Sequence, residues 1–273
     1  MSIDYAKDYS GVVDERFSEV SKTDGFINKD FEFVGAKTVS VQAVGVATMN
    51  DYDRVGNGSR YGSIETLSVA SQEMTMKKDR SFTFAIDKMD NDETKRALES
   101  GKALKRQIDE VITPEIDAYR FAEMVKVAKT TKTEALTVEN IYDMITEASE
   151  KLDEDKVPTV GRQIAVNPAT FKLMKQSKEI ILNTDIGQDL RMKGIIAEID
   201  GMYVTKVTSK TLGANIGFIV AHPSATTAPI KLAEYKVHQD APGVSGELVE
   251  GRVYYDAFVL NNKKCAIYVH KNA

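Results

Sequence analysis

Two hydrophobic periods run along this chain, and the change from one to the other divides it. Period-two alternation comes first. Residues 31–48 are rich in strand formers, and Val39, Val41 and Ala43 alternate with polar neighbours, which predicts a strand with one buried face. Residues 64–76 and 80–86 have the same character on either side of Lys77-Lys78-Asp79. This predicts a long two-stranded ribbon whose polar turn is that tripeptide. Between the first strand and the ribbon, Gly56, Gly58 and Gly62 stand among Asn and Asp and mark a bend. An isolated hairpin is marginal in water, so such a ribbon is expected to rest on something else.

The period becomes helical after Asp90-Asn91-Asp92, short polar residues suited to capping a helix N-terminus. Leu104, Ile108, Val111 and Ile112 are spaced as one buried stripe, with Lys102, Lys105, Arg106, Asp109 and Glu110 opposite. Thr113-Pro114 interrupts the pattern, because proline lacks an amide and crowds the preceding turn. Periodicity resumes through Ile116, Tyr119, Phe121, Met124, Val125 and Ala128, so one long helix is expected, kinked or broken at Pro114.

Downstream, a helix is predicted over 137–152 from a Thr137-Val138-Glu139-Asn140 cap, and a buried strand over 163–166. A second helix opens at Asn167-Pro168. A strand pair within 195–207 turns at Asp200-Gly201, 218–221 reads as a core strand, and 230–270 is again β-rich around a loop at 241–246. Residues 1–29 are polar, with scattered Tyr5, Tyr9, Phe17 and Phe26. They lack the apolar content to fold alone and are expected to lie along another surface as an arm. The order defines an α+β protein. Both arm and ribbon are more than a monomer needs.

Composition narrows the function. Hydrophobic residues make up 42% and charged residues 28%, which suits a folded chain with a sizeable core. A net charge of -5 argues against general, tight grip on nucleic acid, which draws on a basic face. Cys265 is the sole cysteine, so neither an internal disulfide nor a thiolate-rich metal site is expected, and its apolar strand context predicts a buried structural thiol. The N-terminus lacks the basic and apolar regions of a signal peptide, and no stretch is apolar enough to span a bilayer, so a cytosolic protein and no membrane partner are expected.

Candidate chemistry is weak. The spacing of Gly56, Gly58 and Gly62 only superficially matches a dinucleotide loop. A strand-like segment follows where phosphate would need a helix N-terminus, so a hinge loop explains them better. Asp87, Asp90 and Asp92 cluster, but the glycine and terminal glutamate of a calcium loop are missing at the required spacing. Helix capping is favoured over a metal-dependent active site. His222, His238 and His270 are far apart, in no catalytic or metal motif. No enzyme activity, cofactor or metal is expected.

The sequence nevertheless resembles a known family. Asp51-Tyr52-Asp53-Arg54, Arg60-Tyr61-Gly62, the run from Lys78 to Asn91 (KDRSFTFAIDKMDN), and Thr113-Pro114-Glu115-Ile116-Asp117-Ala118-Tyr119-Arg120-Phe121 are similar to the major capsid proteins of tailed bacteriophages. So are Ile199-Asp200-Gly201 and Ala221-His222-Pro223-Ser224-Ala225, and the likeness covers nearly the whole chain in order. The resemblance implies the Hong Kong 97-type capsid fold. Residues 1–36 would be the N-terminal arm, 37–91 the extended hairpin loop with flanking strands, and 92–131 the spine helix of a peripheral domain. Residues 132–229 would form an axial domain, and 230–273 the strands that return to the peripheral sheet.

It implies self-assembly into hexamers and pentamers of an icosahedral shell around packaged double-stranded DNA, touched only by weak, non-specific contact. Portal and decoration proteins would be further partners. No long helical segment precedes the arm, so a separate scaffolding protein is expected. Assembly would take place in the host bacterial cytoplasm and end in the virion capsid. Lys77, Lys78, Asp79 and Arg80 at the ribbon tip, with Arg54 and Arg60 at its base, are the expected intersubunit contacts. Pro114 is the expected helix weak point. An encapsulin-like bacterial compartment, with the same fold around an enzyme cargo, is the alternative.

Overall fold

Alternation over residues 78–87 does produce a strand, but its partner is distant in sequence. The computed structural model describes residues 21–28, 30–31, 38–55, 59–89, 100–177, 198–239 and 241–273, which divide into two compact units, 1–32 with 77–273, and 33–76.

In the larger unit, strand β3 (Lys78–Asp87) pairs antiparallel with β11 (Gly246–Tyr255), which pairs in turn with β10 (Ile230–Gln239). The inward face carries Phe82, Phe84 and Ile86 of β3 opposite Gly251, Val249 and Glu247 of β11. Gly251 has no room for a side chain, since a Cβ there would stand 2.2 Å from the Phe82 ring and 2.9 Å from Tyr235. The aromatic rings use the space that the missing side chain leaves.

A long helix crosses this sheet. It comprises α1 (Ser100–Gln107), a π turn (Ile108–Ile112) and α2 (Thr113–Val127). Its Ile116 packs with Val253 and Tyr255, flanked by Ile112, Tyr119 and Tyr235. The helix is not broken at Pro114: Gln107, Ile112 and Thr113 all keep right-handed helical backbone, and the Thr113 amide bonds the Ile108 carbonyl five residues back. The extra residue of the π turn places the proline in the first turn of α2, where its missing amide costs least. The expected buried stripe is corrected as well. Leu104, Ile108 and Ile112 are half-buried and Val111 is exposed, because the π turn puts the following positions out of phase with an unbroken α-helix. Residues 90–92, the predicted cap, lie outside the described residues.

The same unit holds a mixed six-stranded sheet in the order β4 (Thr130–Thr133), β13 (Ile267–Lys271), β8 (Ile216–Ala221), β5 (Gln163–Val166), β7 (Met202–Lys206), β6 (Glu198–Ile199). All six residues of β8 and the first four of β13 are buried, as unbroken apolar runs in central strands require. This corrects the expectation that 230–273 returns wholly to the other sheet. Strands β10 and β11 do so, but β13 enters the centre of this one.

Helix α3 (Ile141–Glu154) packs on β13, and α4 (Pro168–Gln176) on β8. Thr137 and Asn140 bond each other's backbone amides ahead of α3, and the Asn167 side chain caps α4 by accepting from the Thr170 amide at 2.6 Å. The Asp200-Gly201 turn joins β6 to β7 with positive φ at both residues. Arg162, 1% exposed, ties the end of α3 together through Asp153 (2.6 Å) and the carbonyls of Val157 and Pro158.

Residues 21–28 also belong to this unit rather than reaching away as arm. Buried Asp117 accepts from the Ser21 hydroxyl (2.9 Å), the Lys22 amide (2.7 Å) and the Thr23 hydroxyl (2.5 Å). Arg120 donates to Thr23 at 2.7 Å, and Phe26 meets Phe121 edge-on at 5.5 Å. The signal was Phe26, one of the four aromatics in 1–29, which is fully buried. Residues 1–20 lie outside the described set.

The smaller unit is a hairpin. Strand β1 (Thr38–Val44) pairs antiparallel with β2 (Val69–Thr75), from Thr38 opposite Thr75 to Val44 opposite Val69.

Candidate assembly interface

Residues 45–55 and 59–68 continue the β1–β2 hairpin as a narrow ribbon. The Gly45 amide bonds the Ser68 carbonyl (2.8 Å), the Thr48 amide the Glu65 carboxylate (3.0 Å), and the Asp53 amide the Arg60 carbonyl (3.0 Å). Tyr52 and Tyr61 meet edge-on at 5.1 Å. Every pair lies equally far from the midpoint between residues 56 and 57, so one register runs from Thr38 opposite Thr75 to Asp53 opposite Arg60.

This reverses the expected geometry. Strands β2 and β3 do not pair across Lys77–Asp79, and Arg54 and Arg60 flank the ribbon's far end rather than its base. Register explains the error. β3 satisfies its ladder with β11, which leaves β2 to β1. The overlooked signal was Asn57-Gly58, a strong hairpin dipeptide lying close to halfway between two strands of equal length.

The ribbon exposes apolar side chains that a two-stranded structure has no core to bury. Val46, Met49 and Ile64 are each at least 94% exposed, and Val55 and Tyr61 at least 81%. Concentrated on one thin element, such side chains form an exposed apolar surface of the kind that marks an interaction site.

Lys77, Lys78, Asp79 and Arg80 are instead engaged within the larger unit. The Lys77 amide donates to buried Asp256 at 2.7 Å, and Asp256 also accepts from the Tyr119 hydroxyl (2.7 Å) and the Ala257 amide (2.8 Å). Burial first, and the bond to Asp256 second, hold the Tyr119 phenol well above its ordinary pKa. The Lys78 ammonium lies 4.8 Å from the Tyr119 ring centroid. Arg252 clamps Asp79 through two bonds, 2.9 and 2.5 Å, which hold the pKa of that carboxyl below its ordinary value. Arg80 reaches Glu115 on α2 at 2.8 Å, and Glu115 also accepts from Tyr255, whose phenol burial pushes up to about 12. These residues seat the start of β3 against the long helix.

The remaining candidates stay separate. Asp87 accepts from the Met89 amide at 2.8 Å, while Asp90, Asp92 and residues 56–58 lie outside the described residues. Among the described residues no three His, Cys, Asp or Glu side chains are grouped to hold a metal. His222 bonds Ser224, His238 faces Glu250 at 3.3 Å, and His270 is buried in β13. Cys265 sits in a partly buried 3-10 turn (Asn261–Ala266) and not in a strand. No helix among the described residues is long and apolar enough to cross a membrane.

A long helix over a three-stranded sheet and a mixed six-stranded sheet in one unit, and a hairpin as the other, define an α+β capsid-type fold. Solved structures agree. The chain matches one described as Mycobacterium phage Che8 at TM-score 0.78 and 18% identity, covering 97% of this chain and 96% of that one. It matches the capsid structure of the cyanophage P-SCSP1u at TM-score 0.79 and 14% identity, covering 98% and 92%. It matches the mature capsid of bacteriophage PhiM1 at TM-score 0.76 and 14% identity, covering 98% and 91%. No protein-family model and no curated protein sequence matches it. The chain has the Hong Kong 97-like fold expected from the sequence resemblance.

Proposed function

We propose that this chain is the major capsid protein of a tailed bacteriophage, a structural subunit and not an enzyme. Copies would form hexamers and pentamers that close into an icosahedral shell around packaged double-stranded DNA. The observation that carries this is the apolar ribbon of residues 45–68, whose side chains are exposed in one chain and would be covered by a neighbouring copy. Arg54 and Arg60 flank the ribbon end and supply charge for pairing with that neighbour. Fold likeness to phage capsid structures over nearly the full chain supports the same reading.

In this scheme residues 33–76 are the extended loop, the long helix with β3, β10 and β11 is the peripheral domain, and the six-stranded sheet is the axial domain. A separate scaffolding protein, a portal protein and a decoration protein would complete the assembly in the host cytoplasm. DNA would touch the shell only weakly, given a net charge of -5. Electron microscopy of the purified protein tests the proposal: closed shells, or rings of five and six, are expected. A strictly monomeric protein under all solution conditions would exclude it.

A further inference from the structure

His270 is the one buried histidine among the described residues, with none of its surface exposed. Its ring stacks on Phe218 at 4.9 Å and 16°. Neither ring nitrogen has a hydrogen-bond partner among the described residues, and the same holds for the neighbouring Tyr268 hydroxyl and Asn272 amide oxygen. A buried imidazole without a partner gains nothing from a proton and loses its solvation on taking one.

The surroundings add to this. In the sheet, His270 stands opposite Lys132 of β4 on one side and Phe218 of β8 on the other. Lys132 is held by Glu147 of α3 at 2.5 Å and by Glu134, just past β4, at 3.2 Å. Strand β8 presents no titratable side chain, while Tyr268 and Lys271 are the titratable neighbours within β13. The two carboxylates nearby are therefore already committed to Lys132. Burial first, and the Lys132 charge second, depress the His270 pKa, against a weaker opposing pull from Glu134 and Glu147.

We infer that His270 is a proton-sensitive lock on the β4–β13 pairing, the seam that joins the long helix to the six-stranded sheet. Strand β4 begins three residues after α2 ends and is an outer strand of its sheet, held there by β13. A proton on His270 places a second cation opposite Lys132, and release of β4 relieves it. The sign follows from linkage. With its folded pKa depressed, His270 binds a proton more readily once the seam opens. The pairing is therefore fully stable above about pH 6.5 and weakens as pH falls through that value toward the depressed one.

Hydrogen–deuterium exchange of the full-length protein at pH 7.5 and 5.5, corrected for intrinsic exchange rates, tests this lock. Residues 130–133 and 267–271 are expected to lose protection at pH 5.5 by up to about tenfold, the limit set one pH unit below the ordinary imidazole pKa. Strands β10 and β11, which contain His238 but no buried histidine, serve as the internal control. His270→Phe, which keeps the ring stack and removes the titration, is expected to abolish the loss, and His270→Gln provides a second neutral side chain. Unchanged protection of β4 in the wild-type protein overturns the proposal even if both variants fail to fold. Equal loss in wild type and a folded variant overturns it too.

Discussion

Asp117 shows how much of this fold turns on single buried polar groups. Three donors from residues 21–23 converge on its carboxylate, and Arg120, 5% exposed, stands 3.7 Å away. Truncation would leave three donors without their acceptor and Arg120 with only the more exposed Asp24, 3.3 Å away, as counter-ion. Asp117→Ala is expected to cost about 3–5 kcal/mol in urea unfolding, the range for breaking a buried pair from one side. Asp117→Asn keeps an acceptor and should cost less. Equal, small losses for both would mean that the hook on residues 21–28 contributes little. Nothing in the local sequence announces this cluster, because its partners are 94–96 residues apart and neither end has a motif of its own. Local signals, such as the caps at Asn140 and Asn167 and the Asp200-Gly201 turn, were legible because they act within a few residues.

Elements were legible where period and length agreed, and misassigned where pairing decided. Strand β13 reads as β from its apolar run, yet only its pairing with β4 and β8 assigns it to the six-stranded sheet. Strands β2 and β3 were each visible, but hydrogen-bond partners are not written in alternation. The long helix is the instructive case. Proline correctly marked an irregularity, which takes the form of a π turn at 108–112 instead of a break. That turn holds one more residue than an α turn, so the helix has a second available register nearby. Pro114→Ala would restore an amide able to bond the Glu110 carbonyl and favour the regular α form. Under the capsid proposal such subunits should still assemble, but their shells should change diameter more slowly on maturation, as light scattering would follow. Expansion at the parental rate would leave the π turn without a switching role.

At the scale of the whole molecule, the decisive feature is a ribbon that the larger unit does not need. Residues 33–76 are a compact unit of their own, and the three- and six-stranded sheets lie entirely within 77–273. A deletion of 64–84 would be a poor test, because it removes Lys78–Phe84 from β3 and with them the ladder to β11. Replacing 46–67 with a two-residue turn after Gly45 preserves both the β1–β2 ladder and β3. Fully burying each exposed Val, Met or Ile of the ribbon contributes about 1.5–3 kcal/mol, which is available only between molecules. The excised protein should therefore keep its circular dichroism and melting temperature while failing to form shells or capsomers. Parental assembly from a correctly folded excision variant would show that the ribbon is not the adhesive surface and move the search to the half-buried face of α1. Loss of folding would instead show that the hairpin stabilises its own chain, a result that the exposure of Val46, Met49 and Ile64 argues against.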